Sequence, residues 1–228
     1  MRILLAALLV ALTALAGAPA RAADMPEYPD IEIPEVDYGL SGSFYLRGSA
    51  AGNLLWAAEH VSMGGCVCLP PDTPGYGYSV GAGFGYETGM GLRFDVTTDY
   101  LSNDGLSNGV NTLFLRGGVA LANAYYDFNF SGDSLSGGWG GYVGGGLGGA
   151  AYTTHVTGPG APGDGGGFSP VVAGMAGVQY DMGTVVADVG YRLMYLPQIS
   201  NNTPGVSSFY LNDNTIHEVR GTVRYRFQ

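Results

Sequence analysis

Apolar residues alternate with small or polar residues along most of this chain, in segments of about ten residues, the length of a tilted membrane-spanning strand. In residues 76–87 every even-numbered position carries an aromatic residue, valine or alanine, while the odd-numbered positions carry glycine, serine or a final glutamate. Successive side chains of a β-strand point to opposite faces, so this pattern predicts a strand with one apolar face. Eight such segments occur, at residues 42–52, 76–87, 91–101, 118–130, 139–153, 169–181, 185–196 and 217–227.

The N-terminal residues do not share this pattern. Met1-Arg2 precedes apolar residues 3–16, and Ala20-Arg21-Ala22 follows them, an arrangement typical of a secretory signal peptide. We expect cleavage after Ala22, so that residues 1–22 are the signal peptide. Residues 23–40 combine carboxylates with three prolines and predict an extended periplasmic leader, after which residues 41–228 form one barrel domain.

The composition favours a barrel in a membrane over a soluble domain. Charged residues make up 12% of the chain, against about 25% in soluble domains, and there are 40 glycines. After residue 16 no apolar run is as long as a transmembrane helix, and a closed barrel is the other structure that satisfies the backbone in lipid. The chain has no lysine and a net charge of -10, which excludes a basic nucleic-acid-binding surface.

The connections between the predicted strands alternate in length. Those at residues 87–91, 131–138 and 181–185 are short, whereas those at 53–75, 102–117, 155–168 and 198–216 are long and rich in glycine, proline, asparagine and aspartate. Short periplasmic turns and long external loops are typical of outer-membrane barrels. The sequence therefore predicts an all-β fold, an eight-stranded antiparallel up-and-down transmembrane barrel with both ends of the barrel domain on the periplasmic side.

Most charged residues of the predicted strands fall on the polar face, opposite the aromatic residues. An arginine that faces lipid at the membrane midplane costs about 2–4 kcal/mol, so this face is predicted to line the lumen. The opposite arrangement, a soluble lipocalin-like barrel, would expose large apolar patches to water. The predicted lumen charge network consists of Arg47, Arg93, Asp95, Asp99, Asp188, Arg192, Glu218, Arg220, Arg224 and Arg226.

Eight strands enclose an interior that side chains can fill, although glycines on the lumen side, such as Gly81 and Gly83, would leave some space. The charge network could be structural, locking strand register, or could line a narrow pore for small solutes. The acidic, aromatic loops could bind an external partner, whose nature the sequence does not define. We predict a structural or surface-interaction role in the cell envelope, with a narrow porin as the alternative and a lipid-modifying enzyme as a remote one.

Several segments resemble the small outer-membrane β-barrel proteins of alphaproteobacteria, the surface-antigen and porin-like group related to the OmpA and OmpX barrels. They include Phe44-Tyr45-Leu46-Arg47-Gly48, Arg93-Phe94-Asp95-Val96, Ala124-Tyr125-Tyr126-Asp127-Phe128, Tyr142-Val143-Gly144-Gly145-Gly146 and Val223-Arg224-Tyr225-Arg226-Phe227. The resemblance covers almost the whole chain after the signal peptide. It implies an envelope protein without known chemistry, in contact with outer-membrane lipids and lipopolysaccharide.

The C-terminus also resembles the signal that the barrel-assembly machinery reads in such proteins. Val223, Tyr225 and Phe227 place apolar residues at every second position, although Gln228 follows the final aromatic residue and shifts it by one position. The resemblance implies contacts with the assembly machinery and with periplasmic chaperones while the protein is being made.

Five residues could in principle hold a soft metal at the external end of the barrel: His60, Cys66, Cys68, His155 and His217. Cys-x-Cys is not a standard zinc spacing, and a disulfide between Cys66 and Cys68 would be strained. We therefore predict ordinary loop residues and no metal.

Two further patterns lack the context that their chemistry needs. Residues 144–149 satisfy the glycine pattern of dinucleotide-binding loops but lie in a predicted strand, which indicates a tightly packed strand. His60-Val61-Ser62 resembles the His-x-Ser of outer-membrane lipid A deacylases, but its loop position and the following Met63 do not fit that family. We predict no cofactor and no enzymatic activity.

Overall fold

The structure is a computed structural model that describes residues 42–59, 62–63, 66–67, 73–130, 137–161, 163–201 and 210–227. The predicted signal peptide and periplasmic leader lie outside the described residues, as do His60, Val61 and Cys68. No helix in the described part of the chain is long and apolar enough to cross a membrane.

The strands of the described residues are β1 (Ser43–Glu59), β2 (Ser62–Met63), β3 (Cys66–Val67), β4 (Gly75–Glu87), β5 (Leu92–Ser107), β6 (Thr112–Asn129), β7 (Gly138–Thr157), β8 (Gly165–Asp181), β9 (Val185–Ser200) and β10 (Tyr210–Arg226). The eight long strands are antiparallel and close into a barrel in the order β1-β10-β9-β8-β7-β6-β5-β4, and β4 pairs with β1. The two short strands, β2 and β3, form a separate two-stranded ladder between β1 and β4 in sequence. The predicted eight-stranded up-and-down barrel is confirmed.

The two ends of the barrel differ in their connections. At the terminal end, where β1 begins and β10 ends, residues 88–91 and 182–184 form short turns, as predicted. At the opposite end, which we call the loop end, the strands continue further than predicted. Residues 102–117, predicted to be a loop, are mostly strand, and the turn between β5 and β6 is confined to residues 108–111.

The alternation that marks the strands is broken at this end by local irregularities. Gly105 has a φ of 85° and sits at a shift in the β5–β6 register. Asp213 in β10 has a φ of 53°, and the β9–β10 register skips this position. A bulge puts consecutive residues out of phase with the two faces of the sheet, so the sequence pattern stops before the strand does.

The interior of the barrel is divided into two zones. The terminal half contains buried arginines and carboxylates, described below. The loop half contains a cluster of apolar side chains that are at most 6% exposed: Leu55, Ala57, Leu101, Leu106, Leu113, Leu115, Val119, Leu121, Ala150, Tyr152, Val171, Ala173, Met194, Leu196, Ile199, Leu211 and Ile216. We call this group the apolar plug.

The outer surface of the barrel is apolar and carries two aromatic belts. The belt near the terminal end includes Phe44, Phe84, Phe94, Tyr126, Phe128, Trp139, Tyr180, Tyr225 and Phe227. The belt near the loop end includes Trp56, Tyr76, Tyr78, Tyr100, Phe168, Tyr191, Tyr195 and Tyr210. Between the belts, the outward positions of the described strands carry no Asp, Glu, Lys or Arg.

Candidate functional site in the barrel interior

Six arginines and seven carboxylates form ion pairs within the described part of the lumen. All ten residues of the predicted charge network take part, with Arg226 and Asp181 at the terminal mouth. The acidic partners that we did not include in the prediction are Glu87, Asp127 and Asp181. The pairs fall into three groups that follow one another along the barrel.

The group nearest the apolar plug is a closed ring of two arginines and two carboxylates. Asp99 accepts hydrogen bonds from Arg192 at 2.8 Å and from Arg220 at 2.7 Å. Glu218 accepts from the same two arginines, at 2.7 and 2.9 Å, and its other oxygen accepts from Ser79 at 2.8 Å. The strands that carry Asp99 and Arg192, β5 and β9, lie on opposite sides of the barrel, so this ring spans the lumen.

The second group is centred on Asp95. Its Oδ2 accepts hydrogen bonds from Arg47 and from the Tyr45 hydroxyl, both at 2.8 Å, and its Oδ1 accepts from Asn123 at 2.7 Å. Arg93 binds Asp127 through two nitrogens, at 2.9 and 3.1 Å. The Arg93 guanidinium also lies 3.9 Å from the centre of the Tyr125 ring, a cation–π contact.

The third group closes the terminal mouth. Arg224 is fully buried and donates to Glu87 and to the Gln179 side chain, and its guanidinium lies 3.8 Å from Asp188. Arg226 donates to Glu87 and Asp181, both at 2.7 Å, and to the backbone carbonyl of Gly183 at 2.8 Å. The mouth is therefore held shut by side chains from β4, β8, β9 and β10.

Glycines provide the room that these side chains occupy. A Cβ on Gly81 would collide with the Asp99 carboxylate, and one on Gly83 would lie 3.0 Å from the Arg47 side chain. A Cβ on Gly177 would lie 2.7 Å from the Tyr142 hydroxyl. The lumen-side glycines, which we expected to leave space, are filled by neighbouring side chains instead.

The cavity among the charged side chains of the terminal half is small. A cavity of about 10 Å³, enough for about one water molecule, lies among Arg47, Arg93, Tyr142, Asp188 and Arg192. Above it the loop half is filled by the apolar plug together with buried amides and hydroxyls such as Asn53, Asn103 and Ser169. The described interior thus offers paired charges and apolar packing, which can fix strand register and exclude solvent, rather than a wide aqueous channel.

The missed acidic partners carried a signal in the sequence. Glu87 continues the glycine face of β4, Asp127 follows Asn123 and Tyr125 on one face of β6, and Asp181 follows Gln179 on one face of β8. Applying the two-residue period as far as each strand end would have found all three. The apolar plug was not predicted. Some of its members lie in stretches that were predicted to be loops but form strands, and the others lie on strand faces that were expected to be polar.

The predicted C-terminal assembly signal and the histidines lie outside the charge network. Val223, Tyr225 and Phe227 face outward, with the last two rings 5.4 Å apart, and the Phe227 amide extends the pairing by donating to Phe44. His155 on β7 contacts Asp164 at 2.5 Å, whereas His217 on β10 contacts Tyr191.

The structure therefore does not bring the two histidines together, because β8 and β9 lie between their strands. Residues 144–149 form part of β7, as expected for a packed glycine strand.

No protein-family model and no curated protein matches this chain. Among solved structures, the crystal structure of Neisserial surface protein A is similar with a TM-score of 0.57 and 21% identity, covering 81% of this chain and 97% of that one. OprG from Pseudomonas aeruginosa has a TM-score of 0.44 and 16% identity, covering 82% and 97%. Outer Membrane Protein W of E. coli has a TM-score of 0.43 and 15% identity, covering 82% and 98%. The first similarity supports the barrel fold.

Proposed function

We propose that this chain is an outer-membrane β-barrel with a structural or surface-interaction role in the cell envelope, and that its barrel does not conduct ions or polar solutes along its axis. The observation that carries the proposal is the combination of an apolar, aromatic-belted outer surface with a filled interior. In this proposal the barrel belongs with the surface-antigen group that its sequence segments resemble, and it has no enzymatic role.

The outer surface has the dimensions of a membrane-spanning band. Tyr76 and Tyr86 face outward at the two ends of β4, ten residues apart. At about 3.3 Å per residue and a tilt of about 40°, they are separated by about 25 Å along the barrel axis, the height of the apolar band of such barrels. In water, this surface would be an apolar patch far larger than soluble monomers carry.

The interior argues against the narrow porin that the sequence left open. An ion moving along the axis would have to cross the loop half, where the described residues are the closely packed plug and neutral side chains such as Asn53 and Asn103, with no charged partner to replace its hydration. It would then meet arginines whose carboxylate partners already neutralise them. The charge network is therefore better explained as a structural element than as a selectivity lining.

The loop end carries the polar groups that would face the cell exterior. Arg116 pairs with Asp104 on the outer face beside the aromatic belt, and His155 pairs with Asp164 nearby. In this proposal these groups meet lipopolysaccharide or an external partner, while Val223, Tyr225 and Phe227 serve recognition by the assembly machinery.

Conductance measurement tests the proposal. Protein refolded into detergent is first checked for heat-modifiable gel mobility, the sign of a closed barrel, and is then added to planar lipid bilayers. We expect no steady conductance. Stepwise conductance from protein that is folded and inserted would overturn the non-conducting role and favour the porin. Recovery of folded protein in the cytoplasmic or soluble periplasmic fraction of an expressing cell would overturn the membrane location itself.

A further inference from the structure

The turn between β5 and β6 contains the one Asn-Gly pair of the chain, Asn108-Gly109. It lies at the loop end, where residues 108–111 are partly or fully exposed. An asparagine side chain reacts with the backbone nitrogen of the next residue when the two groups are held together. Glycine leaves that nitrogen most accessible because it has no side chain.

The side-chain oxygen of Asn108 lies between two backbone N–H groups. Its Oδ1 accepts hydrogen bonds from the amide of Val110 at 3.1 Å and from the amide of Asn111 at 2.7 Å. This Asx turn folds the side chain back along the backbone, toward the peptide nitrogen of Gly109. The two donors also polarise the Cγ–Oδ1 bond, which makes Cγ more electrophilic and stabilises negative charge that develops on Oδ1.

The peptide nitrogen of Gly109 is held by a serine. Its N–H donates to the Ser107 hydroxyl oxygen at 3.2 Å, and that hydroxyl donates to the Asn111 carbonyl at 3.0 Å. Gly109 has a φ of 78°, in the left-handed region that favours glycine, so the turn requires this residue type. The Ser107 hydroxyl thus fixes the direction of the Gly109 N–H and is the first acceptor for a proton that the nitrogen loses.

The amide group that would leave in such a reaction is accessible to water. Asn108 is partly exposed, and within the described residues its Nδ2 is neither buried nor hydrogen-bonded. Gly109 is exposed as well, and Val110 is 56% exposed. The turn therefore holds the carbonyl oxygen and the attacking nitrogen in fixed positions, while it leaves the side-chain amide nitrogen free to depart.

We propose that Asn108 is a site of self-catalysed deamidation, at which the turn converts this asparagine into aspartate and isoaspartate. The Gly109 nitrogen loses its proton and forms a bond to Asn108 Cγ, and Oδ1 carries the resulting negative charge between its two amide donors. The Cγ–Nδ2 bond then breaks, and Nδ2 takes up a proton and leaves as ammonia, so that a succinimide ring remains. Water from the solvent adds to either carbonyl of this ring and opens it. The net reaction consumes water and releases ammonia, without an oxidant or a reductant.

The reaction would add negative charge to the loop end of the barrel. An aspartate at position 108 keeps the oxygen that accepts from Val110 and Asn111, and hydrogen bonds to an ionised acceptor are stronger, so we expect this product to keep the turn. Isoaspartate instead routes the main chain through Cβ and lengthens the turn by a methylene group. The inference goes beyond the structural role proposed above. In the orientation proposed there, the new charge lies on the cell exterior.

Incubation of the refolded barrel at slightly alkaline pH, followed by proteolysis and mass spectrometry, tests the proposal. The readout is the rate at which the fragment containing residue 108 gains the mass difference between an amide and a carboxyl group. The comparator is a linear synthetic peptide of residues 106–114 under the same conditions, which has the same Asn-Gly pair without the fixed turn. We expect the rate in the folded barrel to be at least about tenfold higher, because the turn supplies two oriented donors and a proton acceptor.

A pair of variants isolates the contribution of the turn. Ser107→Ala removes the hydroxyl that holds the Gly109 N–H, and it should slow the reaction in the folded barrel about threefold to tenfold, the value of one hydrogen bond. The same substitution should leave the rate in the peptide unchanged. The matched control is Thr88→Ala, because the Thr88 hydroxyl also accepts from a turn amide, that of Met90, but at the opposite end of the barrel. This control should react at the unmodified rate.

Each protein is first shown to be heat-modifiable, so that the barrel is folded when the rate is measured, and the result does not depend on the cellular location. A rate in the folded barrel equal to or below that of the peptide overturns the proposal, because the turn would then hold Asn108 in an unreactive arrangement. Equal rates in Ser107→Ala and Thr88→Ala also overturn it, because the hydroxyl that holds the Gly109 nitrogen would then have no part in the reaction.

Discussion

Replacing Asp99 with asparagine removes one negative charge from the centre of the barrel interior and keeps the size of the side chain. Asp99 is 1% exposed and bridges Arg192 and Arg220. Glu218 contacts the same two arginines, so the variant leaves two buried guanidinium groups to share one carboxylate. The substitution therefore measures how much one member of this ring contributes to the free energy of unfolding.

The expected loss follows from the burial of these groups. Two unit charges 4 Å apart interact by about 4 kcal/mol at an effective dielectric constant of 20. Asparagine removes the desolvation cost of the Asp99 charge, which offsets part of the lost ion-pair energy. The desolvation cost of the two buried arginines remains. Breaking buried ion pairs by removing one partner costs about 3–5 kcal/mol. We expect Asp99→Asn to lower the free energy of unfolding by that amount.

Unfolding by urea in lipid vesicles, followed by tryptophan fluorescence and by the loss of heat-modifiable mobility, measures this difference. The matched control is Asp104→Asn on the same strand, because Asp104 also pairs with an arginine, Arg116, but both side chains are about 40% exposed. Exposed pairs contribute less than about 1 kcal/mol. Equal destabilisation by the two substitutions would refute the reasoning that burial gives the Asp99 ring its weight.

Three further substitutions test the interior glycines, the outer surface and the C-terminus. Gly177→Ala should lower the free energy of unfolding by about 1–3 kcal/mol, since its Cβ would meet the Tyr142 ring, whereas Gly174→Ala has open space and should be neutral in the same urea titration. Val96→Arg, between the aromatic belts, should cost about 2–4 kcal/mol in vesicles. Val110→Arg, in the exposed turn at residues 108–111, should be tolerated. Phe227→Ala should reduce the heat-modifiable protein recovered from the outer-membrane fraction, and an unchanged amount would contradict a role in assembly.

The number of strands and the faces of the barrel were readable from the sequence because the period of two depends only on backbone geometry. In β4 the pattern runs unbroken from residue 76 to residue 87, and the strand has nearly the same bounds. It fails at the loop end of β5 and β10, where Gly105 and Asp213 adopt positive φ and the residues on their loop side are out of phase with the rest of the strand. Such local irregularities leave no pattern that periodicity alone can detect.

The partners within the lumen could be predicted only as a set. The sequence places Asp99 and Arg192 on polar faces, but their contact requires a closed barrel in which β5 and β9 lie opposite each other. The division of the interior was also hidden. Leu101 faces inward like Asp99, which lies two residues earlier on β5. The period of two does not indicate that the lining of the lumen changes from a charged side chain at Asp99 to an apolar one at Leu101.

The cross-lumen pairs point to a role for the network in specifying closure. A slip of one residue between two strands turns every inward side chain of one strand outward. The apolar outer surface alone does not destabilise every such slip equally, because many outward positions are glycine or alanine. Arg192 reaches Asp99 and Glu218 together only when several strand registers between them are correct. A buried charge left unpaired in lipid is costly, so misregistered barrels lose more than their ladder bonds. The ring therefore contributes less to the stability of the native barrel than to the energetic cost of misregistered barrels. Replacing its four members together by apolar residues should preserve stability while increasing the fraction of misassembled barrels.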